Sequence, residues 1–218
     1  MQGRYSHASV TTTGVPLMPD FTAPMSQEQA RRELDLPPRV PVVLVLGGGL
    51  GISIDTAATR LLDSATHVHL VAMPGRNVQA QATLEAVARR NPQRFRVAPW
   101  TERMDIYIRA ADVIVGKPGG VTVAEVLACG RPLLATRSLG GQEGFNVNFL
   151  ERHDVGGLVQ DAEVLGRVEQ LLANPDALLQ MQRRAWLLGR RDGAVHVAER
   201  TLEVALQANA HLRLDETT

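Results

Sequence analysis

Three short stretches of this chain carry residue types that could do chemistry. Gly47-Gly-Gly-Leu-Gly51 follows an aliphatic run, so the backbone N–H groups of Gly48, Gly49, Leu50 and Gly51 can approach a ligand with few side chains in the way. A helix N-terminus at that place favours anions, and phosphate is the natural guest. The plain alternative is a tight strand-to-helix turn. Lys117-Pro-Gly-Gly-Val-Thr-Val-Ala-Glu125 sets Gly119 and Gly120 against a second helix start, with Lys117 supplying a full positive charge. Thr122 and Glu125 stand three apart in that stretch. They fit a capping box, and they equally fit a carboxylate that accepts hydrogen bonds from vicinal hydroxyls such as a ribose. Gly140-Gly-Gln-Glu-Gly-Phe-Asn146 brings Gln142, Glu143 and Asn146 to a glycine-containing loop. Amide and carboxylate groups suit a hydroxyl-rich ligand, and an ordinary solvated loop has the same composition.

Two familiar phosphate loops are excluded residue by residue. A dinucleotide fingerprint starting at Gly47 needs glycine at position 52, where Ile52 stands, and an acidic residue at the end of the second strand, where His69-Leu-Val-Ala-Met-Pro74 has none. A P-loop needs Gly-Lys-Ser/Thr, but Gly116-Lys117 runs into Pro118. No Asp-x-Asp occurs, so a carboxylate pair chelating a diphosphate-bound metal is not expected. Trp100, just past a strand end, suits stacking on a base or packing at the sheet edge. Cys129 reads as a buried, inert thiol, and the six histidines lack metal-ligand spacing. Arg183, Arg184, Arg190 and Arg191 flank Trp186 and read as a solvated helix face.

The elements that must position these loops alternate. Ser26-Gln-Glu-Gln29 is a capping box opening a helix that stops before Pro37-Pro38. Strands are expected at Val42–Leu46, Val68–Ala72, Arg94–Ala98, Asp112–Val115 and Pro132–Ala135. Helices are expected at about Ile52–Leu62, Val78–Arg90, Met104–Ala110 and Val121–Cys129, then near Asn146–Glu151. From Ala162 onward the chain reads as helical, with Leu178, Met181, Ala185 and Leu188 on one face. This alternation is the habit of a doubly wound parallel sheet covered on both faces, whose ligands bind beyond the carboxyl ends of the strands. Residues 1–25, rich in Thr, Ser, Pro and Gly, read as an inter-domain linker or a remnant of a preceding half, and 26–218 as the binding domain with its C-terminal helices.

Composition narrows the class. The 218 residues hold 23 Lys+Arg against 23 Asp+Glu, so no long-range attraction to nucleic acid is expected. With 44% hydrophobic and 21% charged residues the chain has the make-up of a globular domain. One cysteine excludes an internal disulfide framework and points to a reducing, cytoplasmic compartment. No apolar run reaches the length of a membrane span.

Taken together, these segments resemble the C-terminal, donor-binding half of a GT-B glycosyltransferase of the family 28 kind. The likeness is strongest to the monogalactosyl- and processive glucosyl-diacylglycerol synthases, related to the peptidoglycan enzyme that uses UDP-N-acetylglucosamine. Val43–Gly51 is similar to the family's first strand and phosphate-side loop, and Ala111–Pro132 to its most diagnostic segment. Gly141–Leu150 is similar to its sugar-contacting loop, and Gly14–Phe21 to the stretch entering this domain. The resemblance implies that Gly49 and the neighbouring amides of Gly48, Leu50 and Gly51, with Gly119 and Gly120, face the diphosphate, and Lys117 and Thr122 are counted among the donor-binding residues. It gives Glu125 the ribose, Trp100 a uracil base, and Gln142, Glu143 and Asn146 the sugar.

The implied partners are UDP-glucose or UDP-galactose, with no metal or other cofactor, and a diacylglycerol-type lipid acceptor held by an N-terminal half that also supplies the catalytic base. The whole protein is then expected to be peripheral on the inner face of the cell membrane. This chain by itself is expected to be inactive, with a cleft face open to self-association. Ala98-Pro99-Trp100 departs from the family's usual Gly-aromatic pair. A UDP-sugar 2-epimerase half and a stand-alone UDP-sugar-binding module are the alternatives.

Overall fold

A computed structural model describes residues 10–48, 54–136 and 141–215, with side chains to residue 207. Six parallel strands form one sheet in the order β3-β2-β1-β4-β5-β6. They are β1 (Val42–Leu46), β2 (His69–Met73), β3 (Phe95–Val97), β4 (Val113–Gly116), β5 (Leu133–Ala135) and β6 (Gly156–Leu158). Helix α1 (Gln27–Glu33) precedes β1, and α2 (Ile54–Leu62), α3 (Val78–Arg90), α4 (Met104–Ala110) and α5 (Gly120–Ala128) make the first four crossings between strands. They are followed by α6 (Gln142–Arg152), α7 (Val164–Leu172), α8 (Pro175–Leu188) and α9 (Gly193–Asp215).

Why the sheet is covered on both sides can be read from β1. All five of its residues are buried. Val42, Leu44 and Leu46 point to one face, where Ile108 of α4 and Val126 and Leu127 of α5 pack. Val43 and Val45 point to the other, against Leu61 of α2, Leu84 of α3 and Val168 of α7. A period of two on a strand apolar at every position requires two helical layers.

Local chemistry sets the ends. Ser26 Oγ accepts from Gln29 N at 3.1 Å while Gln29 Oε1 accepts from Ser26 N at 2.8 Å, the reciprocal cap anticipated for α1. Asn77 and Asn174 cap α3 and α8 by accepting from Ala80 N and Ala177 N. α1 is fastened to the sheet by a nearly buried ion pair. Arg31 donates to Asp112 Oδ2 at 2.6 Å, and the same oxygen accepts from Val42 N at 2.7 Å, so one carboxylate ties α1, β1 and β4 together.

Three differences from the sequence reading stand out. β6 was not anticipated, because two of its three residues are glycine, which strands disfavour. Gly156 sits at φ +150°, and a Cβ there would lie 1.9 Å from Leu133 O, so β6 joins the sheet only because it lacks one. α6 starts at Gln142, four residues earlier than expected, and runs through Gly144; Gln142 and Glu143 are therefore helical and not on a loop. Before α1, Leu17 and Phe21 are buried, with Phe21 in a single 3-10 turn (Pro19–Phe21), so this part of the presumed linker packs on the domain.

Candidate functional site at the carboxyl edge of the sheet

The strand order reverses between β1 and β4, and the crevice of a doubly wound sheet opens at that point, outside the strand carboxyl ends. β1 and β4 approach closely there. Leu46 pairs with Gly116, and a Cβ at Gly116 would stand 2.7 Å from Leu46 O. Gly116 thus lets the loop after β4 leave alongside the loop after β1. That role carries no periodic signal, so the sequence did not announce it.

A cavity of about 310 Å³ lies at this edge. Leu46, Gly48, Met73 and Gly75 come from the ends of β1 and β2, Trp100 and Met104 from the passage between β3 and α4, and Val121, Thr122 and Glu125 from α5. That volume is at the small end for ligand pockets and suits a nucleoside better than a dinucleotide. Of the residues singled out from the sequence, Gly48, Trp100, Thr122 and Glu125 share this cavity. Gly49, Leu50 and Gly51 lie outside the described residues.

Glu125 projects from the second turn of α5. The helix begins at Gly120 with Gly119 as its cap residue, so Thr122 already lies inside the first turn and the capping-box reading falls. The Glu125 carboxylate makes no hydrogen bond or ion pair among the described residues, and burial pushes it up to about 7. A half-buried carboxylate facing a cavity without a protein donor is a group waiting for a partner. Trp100 forms part of the cavity wall and is 59% exposed, an unusual state for so large an aromatic. The Arg76 guanidinium lies over its ring at 4.7 Å from the centroid. Arg76 was missed in the sequence, although it follows the end of β2 at the same edge, where a cation would be sought.

Beside the cavity, the N-termini of α5 and α6 converge. A Cβ on Gly120 would lie 3.5 Å from Gln142 Nε2 and 4.0 Å from Asn146 Nδ2. Asn146 Nδ2 donates to Pro118 O at 2.8 Å and so holds α6 against the Lys117–Gly120 loop. Lys117 Nζ pairs with Glu143 at 2.5 Å. The lysine charge expected for an anion is therefore shared with a carboxylate of α6, and the positive field here rests on helix N-termini and Arg76. Lys117, Gly119, Gly120, Gln142, Glu143 and Asn146 form one cluster adjoining the Glu125–Trp100 cavity.

Residues 42–197 match the Glycosyltransferase family 28 C-terminal domain. Processive diacylglycerol beta-glucosyltransferase of Bacillus subtilis (strain 168) is 30% identical over 179 residues, covering 81% of this chain and 47% of that protein. The UDP-N-acetylglucosamine--N-acetylmuramyl-(pentapeptide) pyrophosphoryl-undecaprenol N-acetylglucosamine transferase of Bifidobacterium adolescentis is 30% identical over 226 residues, covering 88% of this chain and 57% of that one. The chain thus spans about half the length of these curated relatives. Acinetobacter baumannii MurG shares the fold with a TM-score of 0.66 at 21% identity, over 84% of this chain and 55% of its own. Anabaena HepE, solved in complex with UDP-glucose, does so with 0.65 at 13%, over 94% of this chain and 59% of its own. The chain belongs to glycosyltransferase family 28 and carries that family's C-terminal domain, a Rossmann-like half of the GT-B fold.

Proposed function

We propose that the carboxyl-edge cavity binds the nucleoside of a UDP-hexose, and that the chain is the donor half of an inverting hexosyltransferase acting on a diacylglycerol-type lipid. The observation that carries this reading is the unpartnered, half-buried Glu125 carboxylate beside an exposed Trp100. A ribose presents two adjacent hydroxyl donors to the carboxylate, and a uracil ring offers the indole a flat face. The converging N-termini of α5 and α6 lie where the diphosphate would extend, and Gln142 and Asn146 would meet the sugar. The relatives' names support a lipid-linked acceptor: one is a diacylglycerol glucosyltransferase, the other acts on a pyrophosphoryl-undecaprenol.

In the transfer, an acceptor hydroxyl attacks the anomeric carbon on the face opposite the UDP. A new C–O bond forms as the bond to the β-phosphate oxygen breaks, inverting that carbon, and a base takes the hydroxyl proton. Negative charge develops on the departing UDP. Fixed N–H dipoles at the α5 and α6 starts stabilise it without reorganising, which makes a divalent ion unnecessary in this reading. Calorimetric titration with UDP-glucose, NADH and ATP, each with and without EDTA, tests it. Binding of UDP-glucose ahead of the other two, unaffected by EDTA, is expected. Tighter NADH binding would overturn the nucleotide assignment, and loss of UDP-glucose binding that magnesium restores would overturn the metal-free mechanism.

No described helix is long and apolar enough to cross a membrane. Access to a lipid acceptor would therefore rest on surface association or on parts of the protein beyond the described helices.

A further inference from the structure

The opposite edge of the sheet holds a second cavity with a different chemistry. Gly130 and Arg131 lie between the end of α5 and the start of β5, and Arg109 lies at the end of α4 just before β4. With Gln182, Arg183, Trp186 and Leu187 of α8 they line an open cavity of about 440 Å³. Arg109, Arg131 and Arg183 line it with no carboxylate. Arg109 is committed to the fold, its Nη1 donating to Met25 O and its Nη2 to Phe21 O and Ala23 O at 2.9 Å, so Arg131 and Arg183 are the cations left to the cavity. None of Arg109, Arg131 and Arg183 forms an ion pair among the described residues. The acid that acts most on Arg131 is Asp112, but its oxygens are occupied by Arg31, Gln27 and Val42 N.

Arg109 and Arg131 are 3% and 9% exposed, and each leaves a buried Nε without a hydrogen-bond partner. Buried donors are ordinarily paired, so two orphans lining one cavity call for an acceptor. The helix C-termini at this edge would normally supply acceptors and repel an anion. Here several of their carbonyls are already used: Ala110 O by Arg31, Arg109 O by Arg131, and Ala128 O by Arg191. Beside the guanidiniums stand Leu187, 82% exposed, and Trp186, 48% exposed, whose ring is covered on one face by the Arg191 guanidinium at 3.4 Å from its centroid, so the apolar surface open to solvent is Leu187 and the edge of the indole.

We infer that this cavity is an anion site for a phosphate group carried on an apolar chain, the phosphate meeting Arg131 and Arg183 and the chain lying on Leu187 and the open edge of Trp186. Guanidinium forks match phosphate oxygens, and the aromatic and aliphatic wall gives the attached chain a dry surface. The site is independent of the donor cavity, which opens at the far ends of the same strands.

The two tryptophans of the chain lie at opposite edges, which makes the test direct. In the full chain carrying Trp100→Phe, emission reports on Trp186 alone. It is titrated with hexyl phosphate, inorganic phosphate and hexanol at constant ionic strength, and again after adding Arg183→Glu. Arg183 is exposed and holds no partner in the fold, so this variant should keep the parent's circular dichroism. The expected result is a saturating change with hexyl phosphate, weakened at least tenfold by Arg183→Glu. Inorganic phosphate binding more weakly than hexyl phosphate assigns the site to a phosphorylated amphiphile; equal binding would keep the anion site and overturn the apolar half of the proposal. Hexanol binding as well as hexyl phosphate, no saturation by either phosphate, or undiminished affinity in the variant would overturn the site itself.

Discussion

Glu125 carries the most specific prediction because its state in the folded chain differs from its state in the unfolded one. Burial raises its pKa to about 7 from an ordinary carboxylate value of 4.5. Between these values the native chain holds a proton that the unfolded chain has lost, so stability contributed by this group declines as pH rises through that window. Glu125→Gln should therefore leave the melting temperature nearly unchanged at pH 5 and raise it at pH 8. Ligand binding should run the other way. The carboxylate accepts from both ribose hydroxyls, whereas the acid can accept fewer, so UDP-glucose should bind the parent chain more tightly at pH 8 than at pH 6. Loss of a hydrogen bond to a charged group costs about 1.5–3 kcal/mol, so Glu125→Gln should bind tenfold or more weakly at pH 8, with a flattened pH profile. Calorimetry at the two pH values checks both halves. An affinity independent of pH and of this substitution would return Glu125 to a structural role.

At the scale of elements, the α5 start and the α1 anchor should separate cleanly. Gly120→Ala puts a methyl 3.5 Å from Gln142 Nε2, an ordinary contact, at a helical position where alanine is the better residue. Thermal stability should hold or rise slightly while UDP-glucose affinity falls about tenfold, because the methyl occupies the approach to the α5 N–H groups. Asp112→Ala should do the reverse. Breaking a buried pair costs about 3–5 kcal/mol, and the partly open setting of Asp112 favours the lower figure. At about 2–4 °C per kcal/mol for a domain of this size, a drop of about 6–12 °C is expected, with affinity of the folded fraction unchanged.

How far the elements were legible follows the same physics. β1, α3 and α4 lie where the residues said they would, since an all-aliphatic run and a helical period are local signals. The early start of α6 and the existence of β6 were hidden because glycine disfavours helix and strand alike. There the deciding forces are tertiary: Asn146 reaching Pro118 and the close approach of Gly156 to β5. At the site, Glu125 and Trp100 were legible from their types and the strand ends, and the capping alternative for Glu125 needed the helix start to be known. Arg76 and Gly116 were not, since a lone exposed arginine and a strand-terminal glycine carry no pattern of their own.

On the scale of the whole molecule, the proposed donor site takes up one edge of the sheet, and among the described residues none at that edge is assigned to activate an acceptor hydroxyl. Transfer needs that hydroxyl held near the anomeric carbon with a base within hydrogen-bond reach. We expect this 218-residue chain by itself to bind the donor and to make no lipid-linked hexose from radiolabelled UDP-glucose or UDP-galactose and diacylglycerol. Product formed at a rate comparable with a full-length relative's would place the base among the residues described above and overturn the half-site account.

The most direct measurement of the central claim follows the amide and indole signals of the isotopically labelled chain by NMR as UDP-glucose is added. The account predicts saturating shifts at the Trp100 indole and at the amides of Gly119, Gly120 and Glu125, with the Trp186 indole at the other edge unmoved. Saturation that shifts Trp186 while Trp100 and the α5 start stay still would contradict it.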